Sequence, residues 1–142
     1  MRKFLVILQL VLCMTAISQE KRCTLEVEIN GFENNDGHAR LVIFNSAKYW
    51  PDNDKHSFRK AEGEIKGGIS VFRFEDMPYG TFAIAVLHDE NDNLKMDYNF
   101  LGMPTEDYGF SNNKRGTLGA PSFAECSFII DTSKKKLKIK VE

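Results

Sequence analysis

Apolar residues recur at every second position along much of this chain, and that repeat limits the fold more than any other feature. In Cys23-Thr24-Leu25-Glu26-Val27-Glu28-Ile29 the odd positions are apolar and most even ones are charged. A period of two sends side chains alternately to the two faces of an extended strand, so one face is buried and the other wetted. Ala39, Leu41 and Ile43 repeat the pattern around Arg40. A weaker third strand is expected at 63–66, and Gly67-Gly68 reads as a tight turn into a strand over 69–74. Pro78-Tyr79-Gly80 marks a further turn. Segment 81–88 is apolar on both faces, which predicts a central strand, and 123–130 predicts another. Leu137, Ile139 and Val141 close the chain with Lys136, Lys138 and Lys140 between them, as on a solvated face or a charged sheet edge. Segment 45–60, with Tyr49, Trp50 and Pro51, has room for one short turn of helix. The expectation is all-β: an antiparallel seven-stranded β-sandwich.

The N-terminus reads Met1-Arg2-Lys3, then an apolar run to Met14 broken only by Gln9, then the small residues Ala16 and Ser18. A positive start, a short greasy centre and a small-x-small exit predict a secretory signal peptide over 1–18 and a single mature domain over 19–142. The run is shorter than the roughly 20 residues that cross a bilayer, and the mature chain offers no other candidate span. Loss of Arg2 and Lys3 takes the net charge from −1 to −3, which gives nucleic acid no electrostatic reason to bind. The expected location is periplasmic or secreted.

Export also bears on the cysteines. Cys13 leaves with the signal, so Cys23 and Cys126 remain. Cys23 is in phase with Leu25 and Val27, and Cys126 with Ala124 and Phe128, so both point inward on a strand reading. An oxidising compartment lets such a pair form a disulfide, worth up to about 4.7 kcal/mol for a loop of about 100 residues. Two buried free thiols on non-neighbouring strands fit the sequence as well.

About 34 residues separate His88 from Phe123, long for a connection in a small sandwich, and long ordered loops tend to carry function. The segment opens Asp89-Glu90-Asn91-Asp92-Asn93-Leu94-Lys95-Met96-Asp97-Tyr98-Asn99. Oxygen-bearing side chains at Asp89, Asn91, Asn93 and Asp97, with the Lys95 carbonyl between, have the alternate-residue spacing of a calcium loop, and Asn99 or Glu106 would complete it. The helix-flanked version of that loop has Gly sixth and Glu twelfth; Leu94 and Phe100 stand there instead. Two charged ligands imply weak affinity, on the order of 0.1–1 mM. The same residues also suit a polar turn whose side chains bond their own backbone. His88, in phase with Ile84 and Val86, reads either as a hydrogen-bonded structural histidine or as a transition-metal ligand or general base. No nucleophile elbow, Cys/His pair or phosphate-cradling glycine motif is present.

The runs Phe74-Glu75-Asp76-Met77-Pro78-Tyr79-Gly80-Thr81-Phe82, His88-Asp89-Glu90-Asn91-Asp92-Asn93, Gly102-Met103-Pro104 and Gly109-Phe110-Ser111-Asn112-Asn113 resemble the uncharacterised exported bacterial family called domain of unknown function 2141. The likeness extends from about Leu25 to Val141. It implies no activity, and its acidic motif falls on His88, Asp89, Asn91, Asn93 and Asp97. The first run also resembles a strand of transthyretin-like and collagen-adhesin B-type sandwiches, with Phe82 in place of the usual Tyr. That resemblance implies a prealbumin-like or immunoglobulin-like fold carrying one long ordered loop.

The leading expectation is an exported, non-enzymatic binding or accessory module of the cell envelope. Its partner is another envelope protein or glycan, and its loop is organised by weak calcium or by an equivalent hydrogen-bond network. The rivals are a small hydrolase using His88 with Asp89 or Glu106, and a carrier holding a small ligand between the loop and the sandwich end. Oligomeric state is left open by the sequence.

Overall fold

The computed structural model describes residues 19–142, so the expected signal peptide and Cys13 lie outside the described residues. Eight strands form: β1 Arg22–Asn30, β2 His38–Phe44, β3 Arg59–Gly63, β4 Ile69–Pro78, β5 Gly80–Asp89, β6 Tyr108–Phe110, β7 Phe128–Ile130 and β8 Lys134–Lys140. One sheet has the order β4-β1-β8. The other runs β3-β2-β5-β6, with β7 also pairing β5. Alternation on β1 buries Cys23, Leu25, Val27 and Ile29, which share one core with Leu41, Ile43, Phe82, Ile84 and Val86 of the facing sheet. Among the described residues, no helix is long and apolar enough to cross a membrane.

The all-β expectation holds, but the count of seven and the purely antiparallel pairing do not. β8 runs parallel to β1, from Thr24 opposite Lys134 to Asn30 opposite Lys140. The link from β7 is only Asp131 to Ser133, and it changes sheets. It enters beside the start of β1, where the Thr24 N–H donates to the Ser133 carbonyl at 2.9 Å. Arriving from that end, the last strand can only run alongside β1. Its Lys136 and Lys138 reach Glu26 and Glu28 at 2.9 and 3.1 Å, so the alternating lysines form the solvated ladder that their spacing suggests. Such exposed pairs contribute about 0–1 kcal/mol each.

Three further boundaries shift. The third strand lies at Arg59–Gly63 rather than 63–66, and it pairs with β2. Gly67 and Gly68 do form the two-residue turn, at φ 61° and 74°, but only Lys66 and Ile69 pair across it. The expected strand over 123–130 begins as one helical turn, α1 Phe123–Cys126. Ser122 caps it: its hydroxyl accepts from the Glu125 N–H while the Glu125 carboxylate accepts from the Ser122 N–H. This Ser-x-x-Glu box outcompetes the weak alternation there. Segment 45–60 contains two 3-10 turns, Ala47–Tyr49 and Asp54–His56.

The helical turn also corrects the disulfide expectation. Cys126 packs with Ala83 and Phe110, under Trp50, Tyr108 and Phe123, in a second cluster. Ala83 alternates with Phe82 and Ile84, so this cluster lies on the opposite face of β5 from the core that holds Cys23. Both cysteines are free and buried. The sheet stands between them, and burial pushes the Cys126 thiol up to about 11.

Candidate functional site

β5 ends at Asp89, and the chain returns to β6 at Tyr108, pairing Leu87 with Tyr108 and Ala85 with Phe110. The intervening loop is tied by its own side chains. Asp89 is fully buried. Its carboxylate accepts from the Asn93 N–H at 3.0 Å, the Leu94 N–H at 2.9 Å and the guanidinium of Arg40. Asn91 and Asn93 each accept the N–H two residues ahead, at 3.1 and 3.0 Å, which are Asx turns. Their amide groups donate to the Asp97 carboxylate at 2.6–2.9 Å. Glu106 closes the frame from the far side, accepting from the N–H groups of Glu90 and Asp97, both at 3.1 Å.

Asp89, Asn91, Asn93 and Asp97 are therefore brought together, and Glu106, one of the two candidates for completing the set, joins them. Lys95 joins through its backbone N–H alone. Asn99 belongs to a second turn, where its side chain accepts from the N–H groups of Leu101 and Met103 at 2.9 and 3.1 Å. Leu94, which stands where the calcium loop has Gly, adopts the left-handed φ of 69°, and Asp92 does so at 57°. Leu94 thus makes here, without a glycine, the turn that glycine makes in the calcium loop.

Sequence reasoning missed the basic arm. β2 and β5 are antiparallel with Arg40 opposite Leu87 and His38 opposite Asp89. That register aims Arg40 at Asp89 and Glu62, and His38 at Asp92 at 2.6 Å. Burial alone raises Asp89, but Arg40 and the Leu94 and Asn93 N–H groups outweigh it and hold the carboxyl below its usual value. For Glu106 burial wins over its two N–H donors, and its carboxyl is raised. The bond to Asp92 raises His38. The available signal was Arg40 itself, a charge inside an otherwise apolar run, but its partner was fixed only by the register.

Alternation sends His88 to the other face, where it is fully buried. Its Nε2 lies 2.9 Å from the Asp36 carbonyl, and the Phe32 ring meets it edge-on at 5.1 Å. An imidazole enclosed in this way is not presented to a substrate, so geometry gives the hydrolase reading no support. A shallow groove of about 430 Å³ is lined by Glu64, Lys66, Ile69, Ser70 and Val71, none of them a residue of the loop.

The loop does expose an apolar tip. Leu94, Tyr98, Phe100, Leu101 and Met103 are all well exposed, Phe100 at 96%.

Residues 27–138 match the model of a family described as an uncharacterized protein conserved in bacteria, domain of unknown function 2141. The chain belongs to that family. No curated protein and no solved structure matches it.

Within this family member the last of the four runs, Gly109 to Asn113, proves to be a staple. β6 and β7 share the same edge of β5 and leave a gap at Ala83 and Ile84. The Ser111 hydroxyl fills the gap, accepting from the Ile84 N–H at 2.9 Å and donating to the Cys126 carbonyl. The Asn112 amide donates to the carbonyls of Glu125 and Ser127 at 3.1 and 2.8 Å. Asn113 accepts from the Lys140 N–H at 2.9 Å and so reaches β8 of the other sheet. A Cβ at Gly109 would lie 2.5 Å from the Lys140 carbonyl oxygen.

Proposed function

We propose that this family member is an exported, non-enzymatic module of the cell envelope, periplasmic or secreted. Its loop from Asp89 to Asp107 serves as a docking arm for another envelope molecule. The observation that carries this reading is five exposed apolar side chains within residues 94–103, held on a loop whose base is tied by the Asp89 and Glu106 carboxylates. Scattered apolar exposure is ordinary, whereas a rigid apolar cluster is the usual mark of an interaction surface. Aromatic and Met side chains favour a protein partner over a glycan.

Calcium fits this arm as a tightening ion rather than as a catalyst. The left-handed turn at Leu94, the sixth position of the loop, and the gathering of Asp89, Asn91, Asn93 and Asp97 support it. Arg40 and two amide groups already supply positive ends to the carboxylates, which supports weak affinity. Asn91 and Asn93 would hand their Asp97 contacts to the ion. The prealbumin-like analogy is part of the same proposal and carries no function of its own.

The test is a photo-crosslinking residue placed at Phe100 in the protein expressed in its own host, with Val71 as the control position. A discrete adduct from position 100 and none from position 71 is expected. No adduct, or identical adducts from both positions, would remove the reading.

A further inference from the structure

Two buried side-chain polar atoms lack a hydrogen-bond partner among the described residues, Ser70 Oγ and His88 Nδ1. The second has a directed environment. A carbonyl only accepts, so the contact with Asp36 at 2.9 Å requires that Nε2 of His88 carry the proton. In the neutral ring, Nδ1 is then a bare lone pair. It faces Glu90 Oε1 at 3.8 Å and Asp107 Oδ2 at 4.0 Å. Two carboxylate oxygens thus flank the lone pair, and none of the three atoms donates a proton to another.

We propose that His88 Nδ1, Glu90 and Asp107 form a mononuclear site for a divalent transition cation of the zinc class. Imidazole nitrogen and carboxylate oxygen are both zinc donors, and three protein ligands leave a fourth position for water. The outer contacts of a metal site are also present. A metal-bound histidine characteristically donates its second ring N–H to a carbonyl, as His88 does to Asp36, and ligating carboxylates are themselves hydrogen-bonded. Asp107 Oδ2 accepts the Glu33 N–H at 3.3 Å. The Glu90 and Asp107 side chains are 34% and 22% exposed, so solvent reaches the carboxylate side of the site while the ring itself stays buried.

Ligand atoms around tetrahedral zinc stand about 3.4 Å apart. The two gaps here are wider by about half an ångström, and among the described residues no three such side chains are already closed on a cation position. Both carboxylates are on partly exposed side chains, so a small rotation of each closes the site. Glu90 and Asp107 stand at the two ends of the loop, so the ion would clasp the base of the arm. The site is separate from the Asp89 frame, which lies on the opposite face of β5 and offers hard oxygens instead of a nitrogen.

The test uses tag-free, chelator-treated full-length protein titrated with Co2+ and then Zn2+. One equivalent of Co2+ should bind with visible d–d absorption, be displaced by Zn2+, and shift the 15N resonances of the His88 ring. Glu90→Gln and Asp107→Asn should each weaken binding about tenfold or more, with the metal-free melting temperature unchanged as the folding control. Asp97→Asn, which alters the other cluster, should leave Co2+ binding as it was. Failure to take up the ion, uptake that survives the Glu90→Gln/Asp107→Asn double variant, or Zn2+ binding that leaves the His88 resonances unmoved would each overturn the proposal.

Discussion

Asp89 carries the heaviest electrostatic load in the loop. It is wholly buried, and its charge is matched by Arg40 and two backbone N–H groups. Arg40→Ala should cost about 2–4 kcal/mol in chemical denaturation, because it leaves that carboxylate buried without its ion-pair partner. The pH sign follows from the lowered Asp89 carboxyl. Its contribution is complete above the unfolded value of about 3.9 and is lost as the pH falls through the folded one. Asp89→Asn should therefore flatten the acid limb of the stability profile below about pH 4. His38 gives a second check. Its ring, paired with Asp92, is expected to titrate above 6.5 by NMR, and Asp92→Asn should bring it down. At this scale the gathering of the loop's oxygen-bearing side chains was legible because Asx turns are local, set by residues two apart. Arg40 was not, since its partner is 49 positions away and is fixed only by how β2 pairs with β5.

Strands with strict alternation were equally legible. β1, β2 and β8 could be read because burying one face of a strand demands it, and β5 because an apolar run on both faces marks a central strand. β6 was not, at three residues, because an element so short is held by partners rather than by its own pattern, and α1 was not because its Ser122-x-x-Glu125 cap lies inside a run that also alternates. The parallel pairing of β8 was hidden for the same reason: alternation is blind to strand direction. The staple between β6 and β7 makes a sharp prediction. Ser111→Ala should destabilise by about 1–3 kcal/mol, the cost of a buried Ile84 N–H left without an acceptor. Ser111→Thr, which keeps the hydroxyl, separates that loss from any effect of packing.

Across the whole molecule, two sheets share one core while the outer face of β5 carries a second cluster, and each cluster hides one cysteine. Reductant should therefore leave the melting temperature unchanged, and a thiol reagent should label neither Cys23 nor Cys126 until the protein unfolds. A shift on reduction would restore the bridge that the sequence suggested. The function proposed for the molecule depends on its longest loop being a built frame and not slack chain. Amide hydrogen exchange at single-residue resolution tests this most directly. The N–H groups of Glu90, Asn93, Leu94 and Asp97, each donated to a loop carboxylate, should exchange far more slowly than unstructured chain. Exchange at the unprotected rate through all four would contradict the account and leave the apolar tip with nothing to hold it out.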